Sequence, residues 1–168
     1  MSLEYTIYLK RTDTLTKKAI EEYAASIGLS ITLHPDVQLI SDEGFCPICM
    51  KDDRFVQKGS GNLFLTGFEL FPSEYEEDME DQPESKVKGS SFVLDLCCSA
   101  VDSFETLMAY VLGAFCIKKC DGVFEDLQAE RYYHDSAEIE QEIEIILEEL
   151  ISEAKHNRLR MHKFERWI

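Results

Sequence analysis

Cys46-Pro47-Ile48-Cys49, in the stretch GFCPICMKDDRF, is the part of this sequence with the most suggestive chemistry. Two cysteines at this spacing make half a zinc knuckle or a thiol–disulfide redox pair. A structural zinc site needs four ligands, and the remaining candidates are Cys97, Cys98, Cys116, Cys120 and His34. Cys116 and Cys120 are four apart and share a face if that segment is helical. A zinc reading therefore draws on Cys46, Cys49, Cys116 and Cys120. Cys97 and Cys98 are adjacent, so in a strand they face opposite ways.

The context of the motif argues for a strand instead. FCPICMK alternates Cys46, Ile48 and Met50 against Phe45, Pro47 and Cys49, which sends the two thiols apart unless a bulge at Pro47 turns them together. A redox pair would sit at a helix N-terminus, and MKDDRFVQKGSG is not an amphipathic helix. Strand cysteines acting as small hydrophobes fit best. No nucleophile elbow, Walker loop, H-E-x-x-H or G-x-G-x-x-G appears, and none of His34, His134, His156 and His162 has catalytic company. The sequence assigns no catalytic residue and no cofactor, which argues against an enzyme.

Charge gives a second line of argument. The chain of 168 residues carries 17 Lys and Arg against 33 Asp and Glu, a net −16. Such a surface repels nucleic acid and anionic membrane and attracts basic proteins. Seven of the acids fall between Glu74 and Glu84, and Glu74, Glu76, Glu77, Asp78, Glu80 and Asp81 form the candidate partner-binding cluster. Like charges packed this densely cannot form a core, so 73–90 reads as a mobile acidic loop. The tail KHNRLRMHKFERWI, residues 155–168, reverses sign and interleaves Phe164 and Trp167 with cations. Its plainest role is to complement a helix C-terminus and the protein's own acids.

The elements that would position these groups follow from periodicity. EYTIYLK, LSITLHP, Gln38–Ser41, Phe45–Lys51, Asn62–Phe71 and SFVLDLCCS read as strands, and GVFEDLQAERYYH as a strand and turn. Helices are expected over Leu15–Ile27 with Asp13 or Thr14 as cap, from near Asp102 or Ser103 to an end at Cys120-Asp121-Gly122, with a buried interior from Leu107 to Ile117, and over Asp135–Arg158. The order predicts one α+β domain over 1–168. Its sheet would be antiparallel or mixed, with helices on one face, in a split βαβ, ferredoxin-like arrangement with a central hairpin insertion.

The longest apolar run, Leu107 to Ile117, falls short of the roughly 20 residues that span a bilayer. The opening MSLEYTIYLKRTD has no apolar core of signal-peptide length. Both point to a cytoplasmic protein whose cysteines stay reduced.

The blocks EGFCPICMK, NLFLTGFELF, SFVLDLCCS and MAYVLGAFCIKKCDGVFEDLQAERYY, within about 43–133, resemble ferredoxin-like immunity proteins of bacterial polymorphic or contact-dependent toxin systems. The resemblance lies in element order and texture. It implies a non-enzymatic binding protein and transfers no functional residue. A basic protein is the partner it suggests, and a homodimer is the other assembly that the buried helices would allow.

Overall fold

β1 (Ser2–Leu9) shows how the alternation is used: Tyr5, Ile7 and Leu9 enter the main core, while Glu4, Thr6 and Tyr8 take the other face. The computed structural model describes residues 2–76 and 84–161. After β1 come α1 (Lys17–Ser26), β2 (Ser30–Leu33), β3 (Gly44–Lys51), a 3-10 turn (Asp53–Phe55) and β4 (Leu63–Glu74). They are followed by the one-turn α2 (Glu84–Val87), β5 (Phe92–Ser99), α3 (Glu105–Cys120), β6 (Val123–Asp126), β7 (Arg131–Tyr133) and α4 (Ser136–Lys155).

The strands form a seven-stranded sheet in the order β2-β3-β4-β5-β1-β6-β7, and every neighbouring pair is antiparallel. Successive antiparallel pairings leave β5 and β6 parallel to each other with β1 between them. They likewise leave β1 and β2 parallel, with β5, β4 and β3 between. The crossovers β5–α3–β6 and β1–α1–β2 are thus both split, and the β3–β4 hairpin fills the gap in the second. The chain is an α+β protein with an antiparallel sheet, as its element order predicts.

α1, α3 and α4 share one core with the inward residues of the sheet. α3 is apolar all round because it is enclosed: it touches β1, β4, β5 and β6 on one side and α1 and α4 on the other. Gly113 permits the close approach, since a Cβ there would run into the Phe124 ring on β6. Tyr5, Tyr110, Phe124 and Tyr133 pack edge-to-face and stacked around that crossing. The Tyr110 hydroxyl donates to Asp126 at 2.6 Å, so the buried carboxylate and phenol satisfy each other.

Several boundaries differ from the sequence reading. Gln38–Ser41 is a turn, in which Asp42 accepts from the Gln38 amide, because a short acceptor there competes with strand pairing. α1 starts two residues later than the expected cap, on Thr16, whose side chain accepts from Ala19 N. α4 is capped by Asp135 as expected but ends at Lys155. Ser73 and Glu74, read as loop, are the last residues of β4, and Val87, in the same stretch, is buried against Tyr8, Val93 and Val123. Of the basic tail, Leu159 and Arg160 return to the domain, with Arg160 N donating to Ser103 Oγ at 3.0 Å. Residues 162–168 lie outside the described residues. No described helix is long and apolar enough to cross a membrane.

Candidate functional site

The cysteine motif is a regular piece of β3. Cys46 pairs with Phe68 and is buried, whereas Cys49 sits between Thr32 and Leu65 on the opposite face. The ladder to β4 runs through Pro47 without a bulge. The carbonyl of Pro47 accepts from His34 N, just past the end of β2, so its missing amide hydrogen faces the side where that strand runs out. Its partner in β4 is Gly67, whose φ of 153° and close contact with the Cys46 carbonyl exclude a side chain.

Burial pushes the Cys46 thiol up to about 12, so it is a neutral core group. Cys116 and Cys120 do share a face of α3, at its C-terminal end. The hydrogen bond from Cys116, helped by Thr14 and Arg11, draws Cys120 down to about 7 against the opposing effect of burial. Among the described residues no group of three or more His, Cys, Asp or Glu is placed to hold a metal ion. The structure does not bring Cys46 and Cys49 together, nor the two pairs into one set of ligands.

What the structure does assemble is the face of the sheet opposite α1, α3 and α4. The register sets Phe71, Asp95, Thr6, Glu125 and Tyr132 in one row across β4-β5-β1-β6-β7. A second row runs Phe45, Glu69, Cys97, Glu4 across β3-β4-β5-β1. Asp95 accepts from Thr6 at 2.8 Å and Glu125 from Tyr8 at 3.0 Å, which fixes those carboxylates on the face. One end of the face is covered by the β4–β5 connection, where Tyr75 meets Tyr8 edge-on and Lys86 stands 4.4 Å over the Tyr132 ring. The rest is uncovered by the described helices, and it leaves Phe45, Phe71 and Leu63 exposed.

Among the described residues no Lys or Arg pairs with Glu4, Glu69, Glu74 or Asp95, whereas Glu138, Glu140 and Glu142 of α4 are matched by Arg131 and Lys118. The local field registers on Cys97, whose thiol is raised by burial and then, against a hydrogen bond from Ser2, by Glu69, Glu4 and Glu105.

Of the expected partner-binding cluster, Glu74 lines a hollow with Thr6, Tyr8 and Asp95, and Glu76 is exposed. Glu77, Asp78, Glu80 and Asp81 lie outside the described residues. The acids that the sequence reading passed over are Glu4, Glu69, Asp95 and Glu125. Part of their signal was present: Asp95 is the one carboxylate in SFVLDLCCS, and Glu69 the one in NLFLTGFELF. No family model, curated protein or solved structure matches this chain.

Proposed function

We propose that this chain is a non-enzymatic, acidic protein-binding module that sets its uncovered sheet face on a basic protein, as an immunity protein covers a nuclease. The observation that carries the reading is the pair of rows across the sheet, in which Glu4, Glu69 and Asp95, paired with no described Lys or Arg, share one face with the exposed rings of Phe45 and Phe71. Aromatic groups supply contact area at low entropic cost, and acids steer a cationic partner into register. The net −16 argues against nucleic acid and anionic membrane as direct ligands. Kinship with ferredoxin-like immunity proteins is part of the proposal, supported by the two split crossovers and the inserted hairpin. So is a cytoplasmic setting, supported by six cysteines that form no disulfide.

The test is binding to the products of the genes that flank this one, measured with purified proteins by titration calorimetry. A complex with a basic product that weakens steeply with added salt supports the reading. Absence of any salt-sensitive complex removes it.

A further inference from the structure

Cys116 and Cys120 are the two thiols that the fold does bring together, away from the acidic face. They stand one turn apart on the same side of α3, and Cys120 is the last residue of that helix. Cys116 donates a hydrogen bond to the Cys120 sulfur, and Thr14 Oγ1 stands 3.4 Å from the same sulfur. Both thiols are buried, yet the neighbours of Cys120 in the β1–α1 connection reach the surface: Thr14 is half-buried and Arg11 exposed. The Arg11 charge favours the Cys120 thiolate, with Asp13 opposing it.

The same two neighbours hold the end of the helix. The Lys119 carbonyl accepts from Arg11 Nε at 3.3 Å, from Arg11 Nη2 at 3.0 Å and from Thr14 Oγ1 at 2.7 Å. Asp121 then takes a left-handed conformation, and the amides of Asp121 and Gly122 both donate to the Cys116 carbonyl. Cys116 and Cys120 thus frame the turn on which the β1–α1 connection is hooked.

We propose that this pair is a redox switch: a hydroperoxide joins Cys116 to Cys120 in a disulfide that unwinds the last turn of α3 and releases it from Arg11 and Thr14. The Cys120 thiolate attacks the outer oxygen of the hydroperoxide, an S–O bond forms, the O–O bond breaks, and the alcohol or water leaves with the proton. Cys116 then attacks the resulting sulfenic sulfur, an S–S bond forms, the S–O bond breaks, and water leaves with the Cys116 proton. Two thiols are oxidised by two electrons and one peroxide bond is reduced.

The structural consequence follows from helix geometry. Cβ atoms four residues apart on a helix are about 5–6 Å apart, whereas a disulfide holds them at about 3.5–4.5 Å. The bridge therefore draws Cys120 out of its helical position, which its terminal place allows because no further turn depends on it. The Lys119 carbonyl moves with it, away from its donors. A dithiol reductant reverses the change by exchange. Cys46 and Cys98 are as deeply buried but lie on β3 and β5, with β4 between them, so they serve as an internal comparison.

The experiment treats the full chain with hydrogen peroxide, using oxidation of the half-exposed Cys49 as the sign that peroxide has acted. After quenching, the chain is unfolded and blocked with iodoacetamide, then reduced and labelled with N-ethylmaleimide, so that peptide mass spectrometry marks every cysteine that was in a disulfide. Cys116 and Cys120 should gain the label together, about tenfold above Cys46 and Cys98. Hydrogen exchange of the oxidised chain should quicken at 10–16 and 117–122 and stay unchanged in β3 and β4. Cys116→Ala should leave Cys120 as a sulfenic acid that dimedone captures.

Oxidation of Cys49 without label at Cys116 and Cys120 would overturn the switch. So would equal label on all four buried cysteines, which marks general unfolding, or unchanged exchange at 117–122 in the oxidised chain. A folded Cys116→Ala chain in which Cys120 escapes dimedone would overturn the order of the two steps.

Discussion

Cys46 and Cys49 stand three residues apart on β3 and on opposite faces of the sheet, one packed in the core opposite Phe68, the other opposite Leu65 on the face away from α1, α3 and α4. The strand period of two imposes this, because no bulge intervenes and Pro47 keeps the ladder in register with Gly67. A thiol in each environment behaves differently, which makes the pair a sensitive probe of the fold.

Site-resolved alkylation of the native protein should modify Cys49 and Cys97 and leave Cys46, Cys98, Cys116 and Cys120 unreacted until denaturant is added. Cys46→Ser places a hydroxyl in the core and should cost about 1–3 kcal/mol, whereas Cys49→Ser should stay within about 0.5 kcal/mol. Equal reactivity of Cys46 and Cys49, or equal stability losses, would contradict the divergent placement.

Gly67→Ala should be among the most damaging small substitutions. The new methyl meets the Cys46 carbonyl, which is backbone and cannot step aside, at a φ of 153°. The expected loss is about 2–4 kcal/mol, read as a fall in the urea midpoint with an unchanged slope. A loss below about 0.5 kcal/mol would mean that β3 and β4 are not this close.

Much of this was legible beforehand, for local reasons. Alternation grouped Cys46 with Ile48 and Met50 on the face opposite Cys49 because a half-buried strand leaves its pattern in the sequence. The all-apolar stretch of α3 announced a buried helix. Asp135 announced its cap. The docking face was not legible as a surface, since it depends on which strands become neighbours. Glu4, Glu69 and Asp95 are distant in sequence, and only the β4-β5-β1 order sets them on one side. The crowded acids of 74–84 drew attention by density, while single acids in apolar strands carried the spatial information. Gln38–Ser41 misled because its apolar pair suited a strand and its side-chain acceptor, Asp42, decided otherwise.

Alkaline pH should unfold the protein through its buried tyrosines. Burial pushes the Tyr5 hydroxyl up to about 12 from an ordinary 10.0. Burial, then hydrogen bonds to Glu140 and Asp126, hold Tyr23 and Tyr110 well above that ordinary value. These groups stay neutral in the fold and ionise near 10 in the unfolded chain. Their contribution is complete below about 10 and is lost as pH rises toward 12 and beyond. Urea midpoints should therefore decline over that window, with tyrosinate absorbance appearing together with loss of structure. Full tyrosinate formation near pH 10 in a still-folded protein would contradict the burial of these rings.

The acidic excess should also show in salt dependence. With a net −16, the folded chain repels itself, and screening relieves part of that repulsion. Raising NaCl from about 0.01 M to about 0.15 M should increase unfolding free energy by about 1 kcal/mol. A decrease would indicate that in-chain ion pairs outweigh the repulsion.

The most direct measurement of the central claim compares two double variants that change net charge equally on different faces. One is Glu4→Lys with Asp95→Lys on the sheet, and the other is Glu144→Lys with Glu148→Lys on the exposed side of α4. Each is titrated by calorimetry against the basic flanking-gene product bound by the unaltered chain. The sheet variant should lose about a hundredfold or more in affinity and the helix variant less than about fivefold, the latter through long-range steering alone. Equal losses in the two variants, or a larger loss in the helix variant, would contradict the assignment of the uncovered sheet face as the binding surface.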